Sequence, residues 1–280
     1  MSALSGRARI RPRTRTNALV ERVRGEVGAA GPDVPSGGLI AGRALRLPAD
    51  PVWDRKLDNP AVPGEEWTID EEKVRHYLVR ADDFPHRAEG ERVLLEHVPS
   101  DAQRILDLGT GDGRLLELLR ADRPEMHGVG LDFSELMLRA ARERFVGVEG
   151  IELVEHDLVE PLPALGRFDA VVSSFAIHHL EHERKRSLYG EAFDLLEPGG
   201  LFANFEHVAS PTHRLHLAFF DAIDEPIENE DPSDRLLDVE TQLGWLRELG
   251  FDDVDCYWKW LEMSLLIGVK PTEGERPYRD

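Results

Sequence analysis

The residues best suited to chemistry lie in the run Ile105–Leu115, where glycines and acids alternate. An apolar strand pattern carries Asp107 near its end. Gly109, Gly111 and Gly113 follow at alternate positions, and an apolar helical pattern begins directly after them. Glycine tolerates positive φ and has no Cβ, so the backbone N–H groups of such a loop can close on a ligand. The following helix N-terminus adds unpaired donors and a positive dipole end, so the run predicts a small-molecule site.

The glycine spacing differs from that of dinucleotide-binding loops. Those loops follow G-x-G-x-x-G, because the third small residue allows close packing of helix on strand and places the pyrophosphate at the helix start. Arg114 occupies that third position here. The carboxylate of Asp107 would repel a pyrophosphate but attract an ammonium group. These residues argue against NAD and favour a nucleoside that carries an amine and a carboxylate.

The segment D-L-G-T-G-D-G, residues 107–113, resembles the glycine loop of class I S-adenosylmethionine (SAM)-dependent methyltransferases. Later features follow in the order typical of that family. Asp132 ends the next apolar strand, and Asp157-Leu158 follows the one after it. The run L-E-P-G-G, residues 196–200, follows an amphipathic helical pattern, and its proline and glycines are expected to end that helix and turn the chain into a strand over residues 201–207. The resemblance implies that SAM is the cofactor.

Asp132 is the predicted ribose ligand. It lies about 20 residues beyond the glycines, where a doubly wound fold places a carboxylate on the ribose hydroxyls, and one carboxylate can accept two hydrogen bonds from a vicinal diol. A helix N-cap before Ser134 is the alternative. The resemblance implies that Asp157 accepts from the adenine amino group and that the backbone of Leu158 serves the ring nitrogens. The predicted cofactor residues are Asp107, Gly109, Thr110, Gly111, Gly113, Asp132, Phe133, Met137, Asp157, Leu158 and Ser174.

Three histidines, His179, His178 and His207, are the candidate catalytic groups. Each follows or ends a predicted strand at the ligand-binding edge. Histidine titrates near neutral pH and could deprotonate an acceptor, although methyl transfer by in-line displacement depends mostly on orientation. The alternative is that these rings pack or orient the backbone. We predict no metal site, although His178, His179, His182 and His207 form the nearest histidine cluster. No H-x-x-x-H pair on one helical face accompanies a nearby carboxylate, and thiol ligands are missing.

Composition limits the partners. The net charge is −20, although residues 1–24 are rich in arginine. An acidic body repels a phosphate backbone, which argues against nucleic acid as the direct substrate and favours a small, neutral or cationic acceptor. The sequence has no run of 18 or more apolar residues, so no membrane span is predicted. The single Cys256 excludes an intramolecular disulfide and fits a reducing cytoplasm.

The predicted fold is α/β: a Rossmann-like, doubly wound sheet of seven strands with helices on both faces and a C-terminal antiparallel hairpin. At 280 residues, one domain with additions is expected. Residues 1–65 form a basic, Gly/Pro-rich extension with at most one short helix near Asn17–Val27. Residues 66–280 form the methyltransferase domain, in which residues 208–237 are an insert on the substrate side.

A helical lid is predicted over residues 66–100, with one helix over Glu71–Arg80 and a second over Ala88–His97. Its position before the sheet would place it over the ligand-binding edge. Tyr77 and the pair His86-Arg87 are the lid residues that could reach a ligand. A helix-capping turn is the alternative for the pair, since it follows a proline.

The predicted activity is transfer of the methyl group of SAM to a small-molecule acceptor, with release of S-adenosylhomocysteine (SAH). The C-terminal part, with V-E-T-Q and C-Y-W-K-W, also resembles carboxy-SAM synthases, for which prephenate-dependent conversion of SAM would be the evidence. Those enzymes hold the extra carboxylate with a cation, whereas the insert Glu225–Asp234 is acidic and Arg235 lies only at its edge. The other alternative is a non-catalytic SAM-binding partner subunit. The oligomeric state is left open, with a homodimer as one alternative.

Overall fold

A mixed sheet of seven strands organises the part of the chain that the computed structural model describes, residues 84–272. The strands are β1 Arg104–Leu108, β2 His127–Asp132, β3 Ile151–Glu155, β4 Phe168–Ser174, β5 Leu196–His207, β6 Asp252–Trp260 and β7 Met263–Val269. The helices are α1 Arg87–His97, α2 Arg114–Asp122, α3 Glu135–Arg144, α4 His182–Leu195, α5 His213–Ala222 and α6 Val239–Leu249, with 3-10 turns at Ile177–His179 and Ile227–Asn229. The predicted extension 1–65, the helix near Asn17–Val27 and the lid helix Glu71–Arg80 with Tyr77 lie outside these residues.

The strand order is β3-β2-β1-β4-β5-β7-β6. Strands β1 to β5 pair in parallel, β7 runs antiparallel to β5, and β6 runs antiparallel to β7. The predicted Rossmann-like sheet with its C-terminal hairpin is confirmed. Because the parallel strands share one direction, the segments that follow β1, β2, β3, β4 and β5 meet at one edge, where open α/β sheets bind ligands.

Successive side chains of the central strands point to opposite faces of the sheet and are packed on both. On β1, Ile105 packs into the apolar cluster on one face and Leu106 into the cluster on the other. Both side chains are fully buried. Burial on both faces explains why the central strands are almost continuously apolar in sequence. Each such side chain stabilises the fold by roughly 1.5–3 kcal/mol, which holds the loops at the strand ends in place.

The helices begin and end at residues suited to those positions. Ser134 caps α3 by accepting from Met137 N at 3.3 Å, and Asp238 caps α6 by accepting from Thr241 N at 2.8 Å. Helix α6 ends at Gly250, which has φ of 98°. His86 precedes α1 at φ 61° and makes no side-chain capping hydrogen bond. The sequence therefore encodes the helix bounds locally.

The L-E-P-G-G run departs from the prediction. It was expected to turn the chain before a strand, but β5 begins at Leu196 and passes through both glycines. The physical reason is backbone pairing: Gly199 N donates to Lys270 O, and Lys270 N donates to Gly200 O, each at 2.8 Å. Between residues 84 and 272, no helix is long and apolar enough to cross a membrane.

Candidate cofactor and acceptor site

A cavity of about 840 Å³ opens at the edge where the parallel strands end. Its volume lies within the usual range for ligand sites. Its walls contain the predicted residues Asp107, Gly109, Thr110, Gly111, Asp132, Phe133, Met137, Asp157, Leu158, Ser174, His178, His179 and His207. Gly113 is not among the residues that line it. The sequence pattern thus brought together side chains from five strand ends in one cavity.

The three glycines of the loop have positive φ for different reasons. A Cβ on Gly109, at φ 71°, would lie 2.2 Å from the Cβ of Ala176, and one on Gly113, at φ 81°, would lie 2.4 Å from the ring of Phe145. A Cβ on Gly111, at φ 56°, would meet nothing within 4 Å. Gly109 and Gly113 therefore allow packing, whereas Gly111 borders open space on the cavity side.

Alanine at Gly109 is expected to destabilise the protein more than alanine at Gly111. Both substitutions place a Cβ at positive φ, which costs about 1–2 kcal/mol, but only the first adds a collision with Ala176. Urea denaturation of Gly109→Ala and Gly111→Ala measures the difference in the free energy of unfolding. Equal losses in the two variants would contradict the packing role of Gly109.

Asp132 is fixed by two backbone donors. Its Oδ2 accepts from Gly111 N and its Oδ1 from Ser134 N, both at 2.8 Å. Burial raises the pKa of this carboxyl to about 6, against the effect of these hydrogen bonds. Since Ser134 is the N-cap of α3, Asp132 ties the glycine loop to the start of that helix and faces the cavity.

Asp107 lies buried beside the same loop, and only one of its two carboxylate oxygens has a hydrogen-bond partner within the described part of the chain. Its Oδ2 accepts from Thr110 Oγ1 at 2.7 Å, while Oδ1 has no hydrogen-bond partner among residues 84–272. Burial raises the pKa of Asp107 to about 7. Ser174 Oγ on the same cavity is likewise buried without a partner in that range. Two orphaned polar atoms fit a ligand with an amino-acid group.

Asp157 and Leu158 lie at the far end of the same wall. Asp157 is exposed, and its Oδ1 accepts from Val159 N at 2.9 Å. The Leu158 side chain is buried, and its carbonyl accepts from Arg184 Nε at 2.7 Å. These contacts fix the loop, and both residues line the cavity together with Asp132, the predicted ribose ligand, so they fit the predicted adenine end of a nucleoside.

The histidines gather at the other end of the cavity with acids that the sequence did not associate with them. We call this group the histidine–carboxylate cluster, made of His178, His179, His207, His216, Glu206, Glu230, Asp234 and Glu262. His178 Nδ1 lies 2.6 Å from Glu206 Oε1. Glu262 bridges two rings, with His207 Nε2 and His216 Nδ1 each 3.0 Å from one of its oxygens.

Two of the three predicted catalytic histidines have pKa values shifted in opposite directions. Burial lowers the pKa of His179 to about 4, so its ring is neutral at pH 7. Burial alone would lower the pKa of His207, but the carboxylates of Glu262, 3.0 Å away, and Asp234, 3.5 Å away, outweigh this and raise it to about 9. A protonated His207 cannot take a proton from the methyl acceptor, which argues against a role as a general base.

The end of the cavity that holds the histidines combines aromatic rings with acids. The ring of Phe84 packs against Phe175 and Phe219, with centroid separations of 6.2 Å and 6.4 Å. The insert contributes further lining residues, Ile223, Glu225, Asn229, Glu230, Asp231 and Asp234. Sequence reasoning missed this wall, since the insert has no motif. Its only signal was the run of acids before Arg235.

Two arginines also face the cavity, and both are engaged by one carboxylate. Arg87 Nε and Arg114 Nη2 each lie 2.9 Å from an oxygen of Glu91. Arg235, the cation at the edge of the insert, bonds Glu181 Oε1 at 3.0 Å and does not line the cavity. The cations near the site are therefore held in ion pairs.

The sequence of this chain is similar to those of known proteins. A family model described as a methyltransferase domain matches residues 105–200. A demethylmenaquinone methyltransferase from Clavibacter sepedonicus is 30% identical over 178 residues, which are 56% of this chain and 69% of that protein. A carboxy-SAM synthase from Aeromonas hydrophila is 27% identical over 196 residues, 62% of this chain and 77% of that protein.

Solved structures share the fold. An O-methyltransferase family protein from Burkholderia thailandensis superposes with a TM-score of 0.56 at 21% identity. The match covers 75% of this chain and 64% of that one, so this chain spans just under two thirds of that protein. The seven-stranded sheet and its ligand-binding edge are thus a known architecture.

Proposed function

This chain belongs to the class I SAM-dependent methyltransferases, and we propose that it transfers the methyl group of SAM to a small-molecule acceptor by in-line displacement. In that step the bond from the acceptor to the methyl carbon forms as the carbon–sulfur bond breaks. The electron pair leaves on the sulfur of SAH. The observation that supports this most directly is one continuous cavity with a nucleoside-type wall at Asp107 and Asp132 and an aromatic, acidic wall at the histidines.

Each part of the cofactor has a residue suited to it. The orphaned Oδ1 of Asp107 accepts from the ammonium group, and the buried carboxylate of Asp132 accepts from both ribose hydroxyls. Asp157 accepts from the adenine amino group, and Phe133 and Met137 flank the nucleoside. Gly111 leaves room beside the loop, while Gly109 and Gly113 support its shape. This chain's residues thus bind and orient SAM, which supplies the methyl group.

The acceptor is neutral or cationic. Glu225, Glu230 and Asp231 line its end of the cavity, whereas the lining arginines are paired with Glu91. An anion entering this end would face net negative charge in a partly buried site, where screening by solvent is weak. Phe175 and Phe219 provide an apolar surface for the body of the acceptor.

A matched pair of acceptors tests the charge preference. With labelled SAM, we expect an aromatic amine or hydroxyl acceptor to be methylated at least about tenfold faster than its carboxylated analogue, since a tenfold ratio needs only 1.4 kcal/mol of repulsion. Glu225→Gln should lower this ratio of methylation rates, because it removes one of the negative charges near the acceptor. Faster turnover of the carboxylated analogue would contradict the assignment of the acceptor end.

Carboxy-SAM synthesis is the second candidate, favoured by the similarity to the Aeromonas hydrophila enzyme. A cation without a carboxylate partner would be needed to hold the added carboxylate, and Arg235 instead bonds Glu181. Two incubations distinguish the activities, one with SAM and prephenate and one with SAM and an aromatic amine or hydroxyl acceptor. A SAM-derived product of higher mass in the first would favour synthesis, and SAH with methylated acceptor in the second would favour methyl transfer. SAM binding without turnover, together with a stable complex in pull-downs, would favour a non-catalytic subunit.

A further inference from the structure

Three potential metal ligands converge at the acceptor end of the cavity from two separate segments. His178 and His179 come from the 3-10 turn after β4, and Asp234 comes from the insert. One ligand atom of each residue lies within 4.8 Å of the others. The backbone holds the two segments together, because Arg235 N donates to His178 O at 2.9 Å. The carboxylate is therefore placed beside both rings by a fixed contact.

The distances within this group suit shared coordination better than hydrogen bonding. Asp234 Oδ1 lies 3.5 Å from His178 Nε2 and 3.4 Å from His179 Nδ1. A direct N–H···O hydrogen bond is about 2.7–3.2 Å long. Ligand atoms about 2.1 Å from one zinc ion, at tetrahedral angles, lie about 3.4 Å apart. The two separations between Asp234 and the histidines match that second value.

Asp234 Oδ1 is buried and lacks a hydrogen-bond partner among the described residues. A buried carboxylate oxygen without a donor is costly, so some group of positive character is needed opposite it. The other nitrogen of His178 faces Glu206, with Nδ1 2.6 Å from Glu206 Oε1. The tautomer in which Nδ1–H donates to Glu206 leaves Nε2, the nitrogen that faces Asp234, able to coordinate a metal ion.

A carboxylate behind a histidine is also the usual support of a metal-binding imidazole. The partner fixes the ring orientation and tautomer and increases the basicity of the coordinating nitrogen. Glu206 has this position behind His178 and is itself buried. His179 Nδ1 lies 2.9 Å from Ser233 Oγ, a contact that coordination would replace.

We infer that His178 Nε2, His179 Nδ1 and Asp234 Oδ1 form a binding site for one divalent transition-metal ion, of which zinc is the representative. Two imidazoles and one carboxylate suit borderline ions such as Zn²⁺, Fe²⁺ and Co²⁺, whereas Mg²⁺ and Ca²⁺ prefer oxygen ligands alone. The histidines alone gave no such prediction, because Asp234 is distant in sequence.

Three protein ligands leave coordination positions that open on the cavity. In a role that rests on the proposed function, such a position takes the hydroxyl oxygen of the acceptor. Coordination favours release of the hydroxyl proton to water. The oxygen then bonds to the methyl carbon as the carbon–sulfur bond of SAM breaks, and SAH leaves with the electron pair.

Direct metal binding tests the site without reference to activity. The full chain, free of any histidine tag and stripped with a chelator, is titrated with zinc chloride by calorimetry and with cobalt chloride by visible absorption. We expect one ion per chain with micromolar or tighter affinity, and a zinc-dependent rise in thermal midpoint. Asp234→Asn should weaken binding by at least about 100-fold, more than is typical for loss of a supporting residue.

Two control variants separate coordination from nonspecific charge. Glu228→Gln removes the same charge from an exposed position in the same insert, and His182→Gln removes an exposed histidine close to the cluster in sequence. Both variants should bind zinc within about threefold of the unchanged protein. His179→Gln repeats the test of Asp234→Asn if that variant fails to fold. Equal affinities for Glu228→Gln and Asp234→Asn, or no stoichiometric ion, would overturn the inference. SAH binding is measured separately, so a failure of zinc binding leaves the proposed cofactor site unaffected.

Discussion

Asp132→Ala is expected to weaken the binding of SAH by at least about 100-fold. In our assignment the carboxylate accepts a hydrogen bond from each ribose hydroxyl. Hydrogen bonds to a charged group contribute about 1.5–3 kcal/mol each. The substitution also removes the acceptor of Gly111 N at 2.8 Å, which anchors the glycine loop. Calorimetric titration with SAH measures the loss directly.

Asp157→Ala is the matched control. It removes another carboxylate from the same cavity, but this one is exposed and has a single adenine contact in our assignment. We expect a loss of less than about tenfold, since exposed polar contacts exchange with water at little net gain. If Asp132→Ala bound SAH as tightly as the unchanged protein, the ribose assignment would be wrong.

Asp107→Asn is expected to stabilise the protein without ligand while weakening SAH binding. Burial raises the pKa of Asp107 to about 7, above its ordinary value of 3.8, so the folded state binds the proton more tightly than the unfolded state. The contribution of this group to stability therefore falls as the pH rises from about 4 to about 7. Asparagine carries no charge, and it keeps an oxygen to accept from Thr110.

The size of this effect depends on pH. At pH 8 we expect the free energy of unfolding of Asp107→Asn to exceed that of the unchanged protein by on the order of 2 kcal/mol, with a much smaller difference at pH 4.5. At pH 8 its affinity for SAH should fall by at least about tenfold, because the partner of the ammonium group loses its charge. Urea denaturation at both pH values and calorimetry at pH 8 provide the measurements. Destabilisation at pH 8 would show that the buried carboxylate is not a cost in the free protein.

The nucleoside end of the site was predictable because its residues are local in sequence. Asp107 and Gly111 belong to one strand–loop–helix unit, and Asp132 ends the next strand, so strand direction alone brings them to one edge. The bounds of β5 were less predictable. Its glycines were expected to end a helix, but pairing with Lys270, a residue from the far end of the chain, extends the strand.

The acceptor end depends on contacts that no local pattern encodes. Asp234 and Glu262 reach the histidines from an insert and from a hairpin turn, across long stretches of sequence. Gly113 fits the glycine motif, yet its lack of a Cβ serves packing against Phe145. A motif therefore identifies which loop contacts the ligand but not what each residue in it does.

Glu262 lies fully buried in the turn that joins β6 to β7, where it holds His207 and His216. Every residue of the nucleoside wall, by contrast, precedes β5. A ribosome therefore completes the nucleoside wall well before it adds the glutamate that secures the two histidines. The acceptor end can close only after the final hairpin has been synthesised, so a chain cut short before β7 would lack an ordered place for its substrate.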